Sequence, residues 1–236
     1  MKKDVYKTIN NIDKLLSGKS TLFLDAKEFK LISNKLKSKD YNVYLPYKDS
    51  EKVILYKDEI PKVTLFKINS YNTLKHNEIL GSILSLNIQN NYLGDIIVDN
   101  DNYYFYIISS LNDYIKNNLN SIGNKSVSLE EIDIDSLKDY ERKYEEYEII
   151  VSSLRIDNVI SKIINTSRDK VIEKIKNKEI ILNYEILNKN FYMLKENDIF
   201  SIRRYGKYKY INVVNNTKSG KLVIKYLKYK WYNMYV

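Results

Sequence analysis

The 236-residue sequence contains no cysteine, one histidine (His76), one tryptophan, two prolines and six glycines. Without cysteine there is no disulfide, no thiolate metal site and no thiol nucleophile. A single histidine rules out a multi-histidine metal cluster. The glycines are scattered, and Gly18-Lys19-Ser20 lacks the upstream glycine of a P-loop, so no phosphate cradle or cofactor loop is present. No apolar run approaches the roughly 18–20 residues of a membrane span. Met1-Lys2-Lys3-Asp4 is not followed by the apolar core of a signal peptide. These absences predict a cytoplasmic protein without membrane attachment and without a cofactor. Asp99, Asp101 and Glu145-Glu146 sit in turn-like or charge-dense stretches and read as solvated acids rather than catalytic pairs. Acidic residues also stop early: none follows Asp198.

What is present is a chain able to build cores, with 44% apolar residues. Its length suits two or three small domains. The 23 tyrosines accompany heavy use of Asn, Lys and Ile, a compositional bias that weakens any functional reading of a single tyrosine. Residues 3–17 predict an amphipathic helix with Val5, Ile9, Ile12, Leu15 and Leu16 on one face and Gly18 as its stop. Asp25 is placed to cap a second helix reaching about Leu36. Strand-like runs follow at Asn42–Tyr47, Lys52–Tyr56 and Lys62–Ile68, closing a first α+β domain over residues 1–72. A middle domain over 73–135 has the order α-β-β-α-β. Its first helix starts at His76, with Gly81 read as allowing close packing, and Asp99-Asn100-Asp101-Asn102 is a hairpin signal. Residues 136–150, dense in both signs of charge and with Tyr140, Tyr144 and Tyr147 at helical spacing, read as a solvated linker.

The last third differs electrically. Residues 150–236 hold 18 Lys and Arg against 7 Asp and Glu, whereas residues 1–149 hold 21 against 23. At its head lies VSSLRIDNVISKIINTSRDKVIEKIKNKEIILN, residues 151–183. Val159, Ile160, Ile163 and Ile164 give one buried stripe, and Val171, Ile172 and Ile175 a second. Asn165-Thr166-Ser167 separates them, with Thr166 or Ser167 as cap. Ile180-Ile181-Leu182 reads as a short strand ending at Asn183. This is a compact helix–turn–helix–strand unit in a basic setting, a candidate RNA-binding module. Arg155, Arg168, Lys170, Lys174 and Lys176 are placed for phosphate contact; Arg can grip a phosphate bidentately, whereas Lys acts as a point charge. Asp157 reads as a structural acceptor for a neighbouring Arg or a backbone amide. Asn183 can meet RNA or shape the turn after the strand. Further on, Arg203, Lys207 and Lys209 extend the basic surface, and Tyr205, Tyr208 and Trp231 can either pack or stack on bases. Contact with about five or six phosphates predicts a log–log salt slope of roughly −4 to −5.

Residues 151–203 resemble an S4 domain, a small RNA-binding fold. The resemblance rests on Arg155-Ile156-Asp157, Ser167-Arg168, the strand ending at Asn183, and Leu194-x-x-Asn197-Asp198-Ile199. Lys178 departs from it, since glycine is usual before that strand. More broadly the chain resembles the bacterial YlmH family of S4-domain proteins. Val151-Ser152-Ser153-Leu154-Arg155, the stretch from Leu74 to Leu86, Gly94-Asp95-Ile96, Ser201-Ile202-Arg203, Gly206-Lys207 and Thr217-Lys218 carry that likeness. The first third is weaker: Leu45-Pro46-Tyr47 and Ser50-Glu51-Lys52 stand where the family has Gly-Gly-Tyr and Ala-Glu-Arg. Arg204 also stands where glycine is common.

The resemblance implies an α+β chain of three small domains: an N-terminal α/β-plait-like domain, a middle RNA-binding domain and the S4 domain over 151–236. It adds Ser167 and Asn177 to the candidate RNA-binding residues. It implies a non-enzymatic protein that binds ribosomal RNA and tRNA on the large ribosomal subunit with peptidyl-tRNA; a monomer is the simplest expectation. There it would act with RqcH in ribosome-associated quality control, during C-terminal alanine tailing of stalled nascent chains. An RNA-modifying enzyme of the pseudouridine-synthase type, targeted by its S4 domain, is the alternative, because Arg155-Ile156-Asp157 is similar to such an enzyme's Arg-Leu-Asp. An adaptor for acidic proteins needs only the basic patch.

Overall fold

The computed structural model describes residues 2–36 and 40–230, with side chains from Ile9 onward. The chain is α+β, and divides into two compact units, residues 1–141 and 142–236.

In the first unit, helix α1 (Lys2–Leu16) ends at Gly18, whose φ of +80° suits glycine alone at little cost. Ile12 and Leu15 turn inward onto Leu24, Ile32, Val53 and Leu55. Ile9 and Leu16, expected on the same face, are exposed, and the Val5 side chain lies outside the described residues. Helix α2 (Ala26–Ser33) starts as expected at Asp25. Its carboxylate accepts from Glu28 N at 2.8 Å, and Glu28 accepts in return from Asp25 N at 3.1 Å, a complete capping box. Strands β1 (Asn42–Tyr44) and β2 (Ile54–Tyr56) form a two-stranded antiparallel sheet.

Next come β3 (Val63–Asn69), α3 (His76–Ser85), β4 (Leu93–Asp99), β5 (Asn102–Ile108), α4 (Asn112–Asn118), the small hairpin of β6 (Ser121–Ile122) and β7 (Lys125–Ser126), and β8 (Ser128–Ile132). The sheet order is β4-β5-β3-β8 with antiparallel neighbours throughout. This β-α-β-β-α-β order is the ferredoxin-like plait. The plait expected in residues 1–72 therefore lies one domain further on. The boundary expected at residue 72 falls before Val63, because β3 pairs with β5 and β8 and is a central strand of the middle domain.

Helices α3 and α4 cover one sheet face through Ile79, Ile83 and Ile115, packed on Phe66, Ile68 and Phe105. The other face, carrying Leu65, Ile97 and Tyr106, is covered by Phe23, Tyr47 and Ile54. Tyr47 stacks on Tyr106 with ring centroids 5.7 Å apart and donates to the buried Asp95 carboxylate at 2.7 Å. Asp95 also accepts from Glu51 N at 2.7 Å. Glycine is required here at Gly94, where a Cβ would stand 2.7 Å from Phe23 Cζ and 2.8 Å from Tyr106 Cβ. At Gly81, where close packing was expected, a Cβ would meet nothing within 4 Å.

The second unit contains β9 (Tyr144–Val151), α5 (Ile156–Ile163), α6 (Arg168–Lys176), β10 (Ile180–Leu182), β11 (Glu185–Ile186), β12 (Ile199–Ile202), β13 (Gly206–Asn216) and β14 (Leu222–Tyr229). Their sheet runs β11-β10-β12-β13-β14-β9. The linker expected over 136–150 is thus corrected: from Tyr144 onward it is an eight-residue strand paired along its length with β14. Tyr147 stacks on Tyr226 at 5.5 Å, Ile149 packs on the core, and Val151 is buried within it, the alternation of a half-buried strand. Its glutamates oppose lysines across the ladder. Lys228 faces Glu145 and Lys225 faces Glu148, while Lys225 Nζ lies 2.8 Å from Glu146. Helices α5 and α6 bury Ile156, Val159, Ile160, Val171 and Ile175 against this sheet.

Candidate nucleic-acid interface

Arg155 is the residue before the first turn of α5, and Asp157 lies in that turn, where a carboxylate complements the helix dipole. The Asp157 side chain is fully buried. Its Oδ1 accepts from Asn158 N at 2.8 Å and from Arg155 Nε at 3.2 Å. Its Oδ2 accepts from Arg155 Nη2 at 2.9 Å and from Arg168 Nη2 at 2.8 Å. Burial opposes the carboxylate charge, but the hydrogen bonds from Arg155 and Arg168 outweigh it and hold the carboxyl below its usual range. Asp157 is therefore the structural acceptor expected, and it joins two arginines that are distant in sequence.

Both arginines keep an exposed side. The Arg155 side chain is 37% exposed and that of Arg168 47%. Of a guanidinium's five N–H donors, Arg155 uses two on Asp157 and Arg168 one. The remaining donors are held in a fixed orientation by a buried anchor, the arrangement suited to a bidentate phosphate grip.

Helix α6 starts at Ser167, whose Oγ accepts from Lys170 N at 3.3 Å, so this hydroxyl is used as a cap. At about 100° per residue, Lys170 and Lys174 share one flank of α6, while Arg168 and Lys176 share the other. The four cations do not form one face. Lys170 and Lys176 are exposed. Lys174 is paired with Glu179 at 2.7 Å and lies over the Tyr205 ring at 5.5 Å, and the hydrogen bond from Lys174 lowers the Glu179 pKa.

The helix ends at the exposed Asn177. Lys178 N donates to Ile175 O at 3.0 Å, and Glu179 N to Lys174 O at 2.9 Å. This is a Schellman end with Lys178 at φ +59°, the left-handed position normally given to glycine. Arg204, the second such departure, has φ +70° in the turn between β12 and β13.

Asn183 and Tyr184, at φ +47° and +67°, form the two-residue turn joining β10 to β11. Asn183 Oδ1 accepts from Ile199 N at 3.0 Å and its Nδ2 donates to Asp198 at 2.7 Å, so the side chain shapes the turn. Arg203 lies at the other end of β10, exposed in the β12–β13 turn with its N donating to Glu179 O at 2.9 Å, and Lys209 is half-buried in β13.

Lys207 is a correction. Placed in sequence on the basic surface, it is only 2% exposed, with Nζ 4.8 Å from the Tyr229 centroid and 5.2 Å from that of Tyr184. Its charge is enclosed by aromatic faces and cannot meet a phosphate. Tyr208 is buried, stacked on Phe200 at 5.5 Å, and desolvation pushes its pKa up to about 12, so it packs rather than stacks on RNA. Tyr205 stays exposed under Lys174, and Trp231 lies outside the described residues. Sequence reasoning also missed two exposed apolar side chains, Phe191 and Met193. Their outward alternation with Tyr192 and Leu194 was the available signal.

Three comparisons bear on this geometry. A family model described as "Putative RNA-binding domain in YlmH" matches residues 59–136, the span of the plait. The chain is 25% identical over 191 residues to the Ribosome-associated protein quality control protein P2 of Bacillus subtilis, covering 77% of this chain and 74% of that protein. On these two matches the chain is similar to the YlmH family. A solved structure, the cell division protein YlmH from Streptococcus pneumoniae, aligns at a TM-score of 0.48 with 25% identity, over 58% of this chain and 94% of that one.

Charge is unevenly shared along the chain. Residues 59–136 hold 5 Lys and no Arg against 10 Asp and Glu, whereas residues 142–236 hold 20 Lys and Arg against 10. The sheet face that an RNA-binding plait would use for base stacking is the one filled by Tyr47 and Phe23. Among the described residues no group of three or more acidic or imidazole side chains is arranged to hold a metal, and no helix is long and apolar enough to cross a membrane.

Proposed function

We propose that this chain is a non-enzymatic RNA-binding factor of ribosome-associated quality control. It joins the large ribosomal subunit that still carries peptidyl-tRNA, and its C-terminal unit grips RNA in the manner of an S4 domain. In this reading it works beside RqcH while alanine is added to the stalled chain. The observation that carries the proposal is the Arg155–Asp157–Arg168 cluster. It sets two half-exposed guanidinium groups on a buried carboxylate, in the unit that holds the chain's basic excess. Lys170, Lys176 and Arg203 are exposed and supply further positive charge. The relative's printed role in quality control supports the ribosomal setting.

The same cluster argues against the pseudouridine-synthase reading. A carboxylate that acts on a base must reach it, and Asp157 is fully buried beneath two arginines.

The test is sedimentation of the tagged protein from lysate through a sucrose gradient, beside a variant with Arg168→Ala and Lys170→Ala. The wild type is expected to co-migrate with free large subunits bearing peptidyl-tRNA, and the variant to remain near the top. Wild-type protein that stays at the top at low salt overturns the proposal.

A further inference from the structure

We propose that Phe191 and Met193 form an apolar shelf that receives one unpaired nucleobase of the RNA whose phosphate lies on Arg155 and Arg168. The inference rests on the RNA-gripping role of that arginine pair and adds a subsite beside it. Segment 191–194 is laced to the start of α5. Ile156 N donates to Tyr192 O at 2.8 Å, Leu194 N donates to Leu154 O at 3.0 Å, and Met193 is bridged to Arg155. Tyr192 and Leu194 turn into the core, so the intervening Met193 turns out, and Phe191 is carried on the preceding turn.

Phe191 is 60% exposed and Met193 51% exposed. A single exposed apolar side chain is ordinary on a protein surface. Here Met193 stands opposite Arg155 across the bridge and Phe191 precedes it by two residues, which gives a mixed surface, apolar on one side and cationic on the other. A nucleotide has the same division, with a flat base on one side and a phosphate on the other. Base faces stack on phenyl rings, and the polarisable methionine sulfur adapts to a flat π surface. A base paired within a helix is hidden in its stack, so the shelf favours a bulged, looped or single-stranded nucleotide over a continuous duplex. Among the described residues the tyrosines of the basic tail offer no equivalent place, since Tyr208, Tyr210, Tyr226 and Tyr229 are buried and Tyr205 already lies under Lys174.

The experiment uses the full chain and two labelled RNA hairpins, identical except that one carries a single unpaired 5-iodouridine. Affinity is measured across a salt series for the wild type, Arg168→Ala, the double variant Phe191→Ala with Met193→Ala, and Phe191→Trp. The wild type is expected to prefer the bulged hairpin. The double variant loses about 5- to 100-fold in affinity for that hairpin with an unchanged salt slope, because no charge has been removed. Phe191→Trp retains the preference, and irradiation joins the iodouridine to Phe191 or Met193 in the wild type. Equal binding of both hairpins by the wild type, or a preference that survives the double variant, overturns the shelf while leaving the arginine grip standing. Wild-type protein that binds neither hairpin overturns both.

Discussion

Replacing Asp157 with asparagine keeps the shape of the side chain and removes its charge. Three guanidinium hydrogen bonds converge on this carboxylate, two from Arg155 and one from Arg168. Hydrogen bonds to a charged partner contribute about 1.5–3 kcal/mol each. Losing one partner of a buried ion pair costs about 3–5 kcal/mol. Both arginines, however, are partly exposed and can turn to water, so the expected cost is about 2–3 kcal/mol. Hydrogen exchange read by mass spectrometry localises it: amides of α5 and α6 should exchange roughly 30- to 150-fold faster in Asp157→Asn. The pH dependence follows from the depressed pKa in the folded state. The carboxylate's contribution is complete above its unfolded value near 3.9 and is lost as pH falls through the lower folded value. The gap between wild type and variant should therefore be full at pH 7 and shrink below about pH 4. Equal protection of α5 and α6 in both proteins at pH 7 would refute the anchoring role, as would a gap that persists unchanged at pH 2.

Lys178→Gly and Arg204→Gly should each raise the unfolding free energy measured by denaturant titration by about 0.5–1 kcal/mol, since relief of a left-handed side-chain conformation exceeds the added flexibility of glycine. Gly94→Ala should destabilise by about 2–3 kcal/mol in the same assay, because its methyl would press on Phe23 and Tyr106. Lys170→Ala should make the RNA salt slope shallower by about one, whereas Lys207→Met should leave that slope unchanged because the buried ammonium touches no phosphate.

Local signals in the sequence located the elements well. The second helix of the C-terminal unit, expected to follow a cap at Thr166 or Ser167, runs from Arg168 to Lys176, and the strand Ile180–Leu182 falls where it was read. The hairpin signal at Asp99–Asn102 gives a turn with Asn100 at φ +55°. Both places where glycine was expected and absent, Lys178 and Arg204, lie in the left-handed region. What stayed illegible depends on partners far away in the chain. The charge-dense stretch before Val151 looked like a linker because Lys225 and Lys228, which face its glutamates, come so much later. Strand β3 was assigned to the wrong domain because pairing with β5 and β8 leaves no local mark. Lys207 reads as one more cation in a basic tail until the Tyr184 and Tyr229 rings enclose it. The cluster at Asp157 was half legible: Arg155 is its neighbour in sequence, but Arg168 reaches it only through the packing of α6 on α5.

The proposed function rests on an RNA grip by the C-terminal unit through Arg155 and Arg168. The most direct measurement crosslinks the protein to RNA on stalled large subunits in cells and maps the RNA-bearing peptides by mass spectrometry. Crosslinked peptides are expected from residues 151–183 and around Arg203, diminished by Arg155→Ala with Arg168→Ala. Crosslinks confined to residues 59–136, and unchanged in that variant, would contradict it.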